Sequence, residues 1–163
     1  MIDFYNLPIP GAGGPFGILA PYWNDLEPSL SASPYIYTYF DEATSIFYIQ
    51  YHHFNNREYS DDQYFPVQIH DMQTGDDQIA FIYEASEDNQ THALYSTVGI
   101  AAPDRRRGLE YRYDNIYTHN STPFDGAFGI WFTNRDNMAS LSGNVMPADA
   151  KVYLDYSDAR QNA

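Results

Sequence analysis

The chain has 163 residues, with 22 Asp and Glu against 8 Lys and Arg, and no cysteine. That length suits one domain whose core buries about 70% of the unfolded chain's surface. The missing cysteine excludes a disulfide framework, a thiolate zinc site, an iron–sulfur cluster and a cysteine nucleophile. The formal charge of −14 argues against nucleic acid or an anionic membrane as partner, since both need clustered Lys and Arg.

Arg105-Arg106-Arg107 is the one basic cluster, too short for a binding stripe. No run approaches the roughly 20 apolar residues of a membrane span, so no membrane insertion is expected. The chain opens without a basic and then apolar leader, which fits either a cytoplasmic protein or an exported one whose signal has been removed. Sixteen Tyr, 10 Phe and 2 Trp make it 17% aromatic, and Tyr favours half-buried pleated surfaces and recognition faces, so the composition leans towards β structure.

Residues 1–17 form a Pro/Gly-rich lead-in, with three Pro and four Gly between Asn6 and Gly17, a composition that sustains neither helix nor central strand. Beyond it, short apolar runs recur between turn signals, the pattern of an all-β antiparallel sandwich over 18–135. Strands are expected near Ile18–Tyr22, Tyr35–Phe40, Ser45–His53, Tyr64–His70, Gln78–Glu84, Ser96–Ala101, Leu109–Tyr113, Ala127–Phe132 and Lys151–Tyr156. Phe65, Val67 and Ile69 alternate with Pro66, Gln68 and His70, and Ile79, Phe81 and Tyr83 alternate with Gln78, Ala80 and Ile82, so 64–84 reads as a hairpin. Pro66 inside a strand points to an edge or a bulge. Residues 45–53 are apolar on both faces, as in a covered central strand.

The tail, 136–163, is polar, with its best claim to a helical turn over 136–150 and one isolated strand at 151–156. A lone strand is not stable, so it must join this sheet, a partner's sheet or a following domain.

Chemistry-bearing residues are plentiful but scattered. His52 and His53 are strand neighbours whose side chains face opposite ways, unable to share a metal unless the strand is broken. His70 ends a strand, and His92 and His119 fall in loops. Asp61-Asp62, Asp76-Asp77 and Glu87-Asp88 lie in turns, where Asp serves local hydrogen bonding. These acidic turns could hold a structural Ca²⁺; no EF-hand spacing is present and no other cofactor is indicated. No Gly-x-Ser-x-Gly elbow occurs, and Gly11-Ala12-Gly13-Gly14 lacks the Lys and helix of a phosphate loop. Tyr35, Tyr37 and Tyr39 share one strand face and Tyr111 and Tyr113 another. Such strips either pack across strands or stack on sugar rings.

The order of these features resembles the nidogen-like β-sandwich modules of large secreted bacterial proteins. Gly17–Leu26 is similar to their "IAPFWDDL"-like strand, Tyr35–Tyr39 to their "YYY" strand, and Ile46–Tyr51 to the "VEW"-like strand that follows. Phe65–Ile82 resembles the next hairpin, Ser96–Ile100 with Gly108–Tyr111 the "ATVGI…GLQY" stretch, and Ala127–Thr133 the closing "AIRFT" strand. The resemblance covers about residues 5–133 and implies a sandwich of nidogen-like, jelly-roll type. It also implies an extracellular or cell-surface place and a non-catalytic role in adhesion or structure, with no catalytic residue to carry over.

Family members begin with further strands before the Pro-rich loop, where this chain starts. An incomplete sandwich offers an edge for strand addition, so the segment Lys151, Val152, Tyr153, Leu154 and Tyr156 is a candidate donor strand to a neighbouring copy, building an open-ended polymer. The same incompleteness fits a piece of a longer chain carrying the missing strands upstream. Partners are then other protein subunits, the chain itself among them. The alternative is a carbohydrate-binding module with glycan partners, using the Tyr strips.

Overall fold

The alternating runs fold into strands alone. The computed structural model describes residues 6–30, 33–56, 62–71, 77–83, 96–114, 116–118, 121, 128–133 and 151–152, and none of these is helical. The strands are β1 (Ile18–Trp23), β2 (Leu26–Pro28), β3 (Tyr35–Asp41), β4 (Ile46–Asn56), β5 (Asp62–His70), β6 (Gln78–Tyr83), β7 (Thr97–Ala101), β8 (Gly108–Tyr113), β9 (Ile116–Tyr117), β10 (Phe128–Phe132) and β11 (Lys151–Val152). They form a four-stranded sheet ordered β1-β7-β8-β9 and a seven-stranded sheet ordered β11-β10-β6-β5-β4, with β2 and β3 sharing the far edge of β4. Among the described residues every pairing is antiparallel except that of β10 with β11.

The two sheets pack face to face as a β-sandwich. Phe65, Val67, Phe81, Tyr83, Ile130 and Phe132 of the large sheet meet Tyr22, Val98, Leu109 and Tyr111 of the small one in a single buried cluster. These are the inward positions of alternating strands, as the period-two pattern requires. The Tyr83 hydroxyl crosses between the sheets and donates to the carbonyl of Pro21, which lies in the irregular stretch of β1 between Ala20 and Trp23.

Several local expectations are corrected. Pro66 sits in an interior strand, paired with Gln50 of β4. The ladder from β5 to β6 starts one residue later, at Val67↔Phe81, so among the described residues β5 is locally an edge at Pro66, where the missing N–H interrupts no pairing with β6. The expected regular strand 45–53 runs to Asn56 and is broken by a bulge between His52 and Phe54, with His53 at φ 57°. Across that bulge β4 exchanges edge partners, β3 for β2. Neither β2 nor β9 was signalled by alternation, being three and two residues long.

From Asn6 on, the lead-in is a structured part of the sandwich. Asn6 and Ile9 are buried; Asn6 Nδ2 donates to Thr97 Oγ1 at 3.0 Å, Thr97 Oγ1 donates to the Leu7 carbonyl at 3.0 Å, and the Ile9 N–H donates to Glu110 Oε2 at 2.6 Å. The segment thus lies over the outer face of β7 and β8, and a Cβ on Gly108 would strike Ile9 Cγ2 at 2.7 Å.

At the other end of the chain, the first two residues of the strand expected at 151–156 take one of its three expected places, in this sheet. Lys151 and Val152 pair in parallel with Ile130 and Trp131 of their own chain. Tyr153, Leu154 and Tyr156 lie outside the described residues, as do the expected helical turn at 136–150 and the boundary at 135.

Candidate functional site

Cover over the large sheet runs out towards β3. Phe65 and Val67 on β5 are each 2% exposed, their β4 neighbours Ile49 and Tyr51 are half-buried, and Ile36 and Phe40 on β3 are 53% and 50% exposed. All of these point to the inward face. The small sheet therefore stops short, and β3 projects past it with both faces in solvent.

On the outward face, register sets Tyr35 opposite His52, Tyr37 opposite Gln50 and Tyr39 opposite Tyr48. Pro66 and Gln68 of β5 come next in the same rows. The three tyrosines are 53%, 48% and 62% exposed. Their rings form two neighbouring groups on that face: Tyr35 and Tyr37 stand 5.5 Å apart and Tyr37 meets His52 edge-on at 6.0 Å, while Tyr39 lies 6.1 Å from Tyr48. The expected strip over Tyr35, Tyr37 and Tyr39 is thus one exposed face, widened by Tyr48, Gln50 and His52.

The second expected strip does not exist as a surface. Tyr111 belongs to the core, edge-on to Tyr117 at 6.1 Å, and Tyr113 is half-buried opposite Thr97. Leu109 lies in the same core, so alternation itself carries Tyr111 inward, and a register shift between β7 and β8 with Tyr111 as the extra residue then sets Tyr113 on the other face. The same shift turns Arg112 inward. Its buried guanidinium donates to Ser96 Oγ at 2.5 Å and to the Tyr117 hydroxyl at 3.1 Å, and lies 5.7 and 5.6 Å from the ring centres of Tyr22 and Tyr117. Nothing in the sequence distinguishes this Arg from a surface one.

The bulge at His53 overturns the expectation that His52 and His53 face apart. Their ring centres are 4.0 Å from each other. A break of this kind was the one condition under which the pair could approach. Among the described residues, however, no three His, Asp or Glu side chains converge as a metal ion would need. Of the acidic turns proposed for Ca²⁺, Asp61, Asp76, Glu87 and Asp88 lie outside the described residues, as do His92 and His119.

Titrating groups are perturbed one at a time, each by its own turn or contact. Hydrogen bonds from Thr44 and the Ala43 N–H hold Asp41 below the usual carboxylate value. The Arg106 N–H and the Arg107 side chain do the same for Asp104. Burial lowers His70, whose Nε2 stands 3.0 Å from Gln68 Oε1, and burial raises Glu110 against the opposing effect of the Ile9 N–H. The two aspartates have ordinary structural reasons for their shifts, since both close turns.

Among the described residues no helix is long and apolar enough to cross a membrane. A scan against protein-family models finds no match, and searches of curated proteins and of solved structures find none either.

Proposed function

We propose that this chain is a non-catalytic interaction module of an exported protein, a nidogen-like β-sandwich that works in adhesion or structure outside the cell. The observation that carries the reading is the solvent-facing aromatic surface of β3 and β4. Tyr presents a large rigid area and a hydroxyl at small entropic cost, which is why it is enriched where proteins bind other molecules. Single exposed apolar residues need no explanation, whereas a contiguous patch does. The acidic charge of −14 supports a neutral or cationic partner and keeps the surface off anionic polymers.

Glycan is the second reading, favoured by the adjacent Tyr35 and Tyr37 rings beside the Gln50 amide, since sugar faces stack on aromatic rings and sugar hydroxyls pair with amides. Beads bearing the protein, passed over polysaccharide-coated and protein-coated surfaces, test both readings. Retention that falls at least tenfold in a Tyr35→Ala/Tyr37→Ala/Tyr39→Ala variant of unchanged melting temperature supports the module, and competition by soluble oligosaccharide selects the glycan. Absence of retention on every surface, or turnover of glycoside or peptide substrates by the pure protein, overturns it.

A further inference from the structure

We infer that β3 pairs with β3 of a second copy of this chain, antiparallel and centred on Thr38, joining two large sheets into one. The inference deepens the module reading and rests on it for the use to which the contact is put. Its grounds are the state of the edge and the order of residues along it.

Natural sheets guard exposed edges with Lys, Pro, bulges or short strands, because a free row of N–H and C=O groups templates another strand. β3 has none of these guards over Tyr35–Phe40. It is seven residues long, keeps an unbroken register with β4 from Tyr35↔His52 to Asp41↔Ile46, and carries no charge before Asp41. Asp41 itself is turned back into its own turn, accepting from the Ala43 N–H at 3.0 Å and Thr44 Oγ1 at 2.7 Å.

The occupant follows from a chemical palindrome. With Thr38 on the two-fold axis, Tyr37 falls opposite Tyr39 of the second copy, and Ile36 opposite Phe40. Aromatic thus meets aromatic on the outward face and apolar meets apolar on the inward one. Both sets are exposed in the single chain. Like-facing pairs about a dyad are what an isologous contact requires, and Thr on the axis is a favourable cross-strand neighbour of itself. The inward strip at Ile36 and Phe40, which the small sheet fails to reach, becomes continuous with its twin. This two-fold contact closes on itself, unlike the open-ended polymer expected from a donated tail strand.

The charge of −14 on each copy opposes association, and salt screens it. Pairing therefore strengthens as NaCl is raised, the reverse of what a contact between opposite charges would do.

Sedimentation velocity over roughly 10 µM to 1 mM, the regime of a small transient interface, should show a dimer whose share grows with concentration and with salt. Thr38→Lys places two ammonium groups against each other on the axis and should leave a monomer that melts like the parent. Because the chain has no cysteine, Thr38→Cys offers a geometric check. Cα atoms of directly opposed strand residues lie about 4.5–5.5 Å apart, within disulfide reach, so mild oxidation should cross-link Thr38→Cys at least tenfold faster than Thr44→Cys in the adjacent turn. A monomer throughout the range overturns the pairing, as does a dimer indifferent to Thr38→Lys with no preference for cross-linking at 38. Retention of beads by the tyrosine face is read separately, so a monomer that still adheres removes the pairing and leaves the module.

Discussion

β7 and β3 are strands of the same sandwich, and they are treated oppositely. β7 is an inner strand between β1 and β8, its Val98 is fully buried in the core, and its outer face is roofed by the lead-in through Thr97. β3 is an edge strand whose side chains from Tyr35 to Phe40 are all exposed. Their residues do not explain the contrast, since Tyr-Ile-Tyr-Thr-Tyr-Phe holds four aromatic side chains and β7 none. Cover does: the large sheet and the lead-in enclose β7 on its two faces, while nothing among the described residues reaches β3. Burial in this fold is decided by which strands have a second layer above them, and the apolar residues left without one are the ones free to bind.

Substitutions should divide along that line. The largest effect is expected at Gly99, where a Cβ would run into the Leu109 carbonyl oxygen and crowd Glu110 Cα across the ladder. The contact is with backbone and cannot be relieved by a rotamer, so Gly99→Ala should cost about 3 kcal/mol or more in urea denaturation.

A smaller effect, with a signed pH dependence, is expected where the roof is fastened. Glu110 is raised above its ordinary 4.5, mainly by burial, so the folded state holds this proton more tightly than the unfolded state. The wild type therefore gains stability from Glu110 as pH falls through its folded value towards 4.5, and carries a desolvation penalty above it. Glu110→Gln keeps an acceptor for the Ile9 N–H and removes the charge. Its melting temperature should exceed that of the wild type at pH 7.5, and the difference should shrink steadily in scans at lower pH.

The smallest effect is expected on β3. Phe40→Ser, measured on the monomer at low concentration, should change stability by less than about 0.5 kcal/mol despite removing an aromatic ring. A loss of several kcal/mol there would mean that β3 is covered after all, and the contrast with β7 would fail.

The all-β class and the order of the long strands were legible in the sequence, because alternation at 65–70 and 78–83 and the turn compositions between runs follow from the pleat itself. The Tyr35, Tyr37 and Tyr39 face was legible for the same reason. What was hidden depends on single extra residues. A bulge in β8 turned Arg112 into the core and parted Tyr113 from Tyr111, and a bulge in β4 brought His52 and His53 together. Alternation counts residues and is blind to an insertion of one. The covered strand expected at 45–53 is another miss: β4 is only half-buried up to its last residue, Asn56, because the opposite sheet stops short of it, and an apolar or aromatic run does not show how far the opposite sheet reaches.

The clasp of the lead-in also dictates an order of events. Asn6 reaches Thr97 across 91 positions and Ile9 reaches Glu110 across 101. During synthesis from the N-terminus, this segment is made before β7 and β8 and has no seat until they have been made and paired. The lead-in from Asn6 to Ile9 therefore finds its place only after strands made about 90 residues later, and contacts of such separation slow folding. Until then its prolines and glycines keep it from forming a wrong strand of its own.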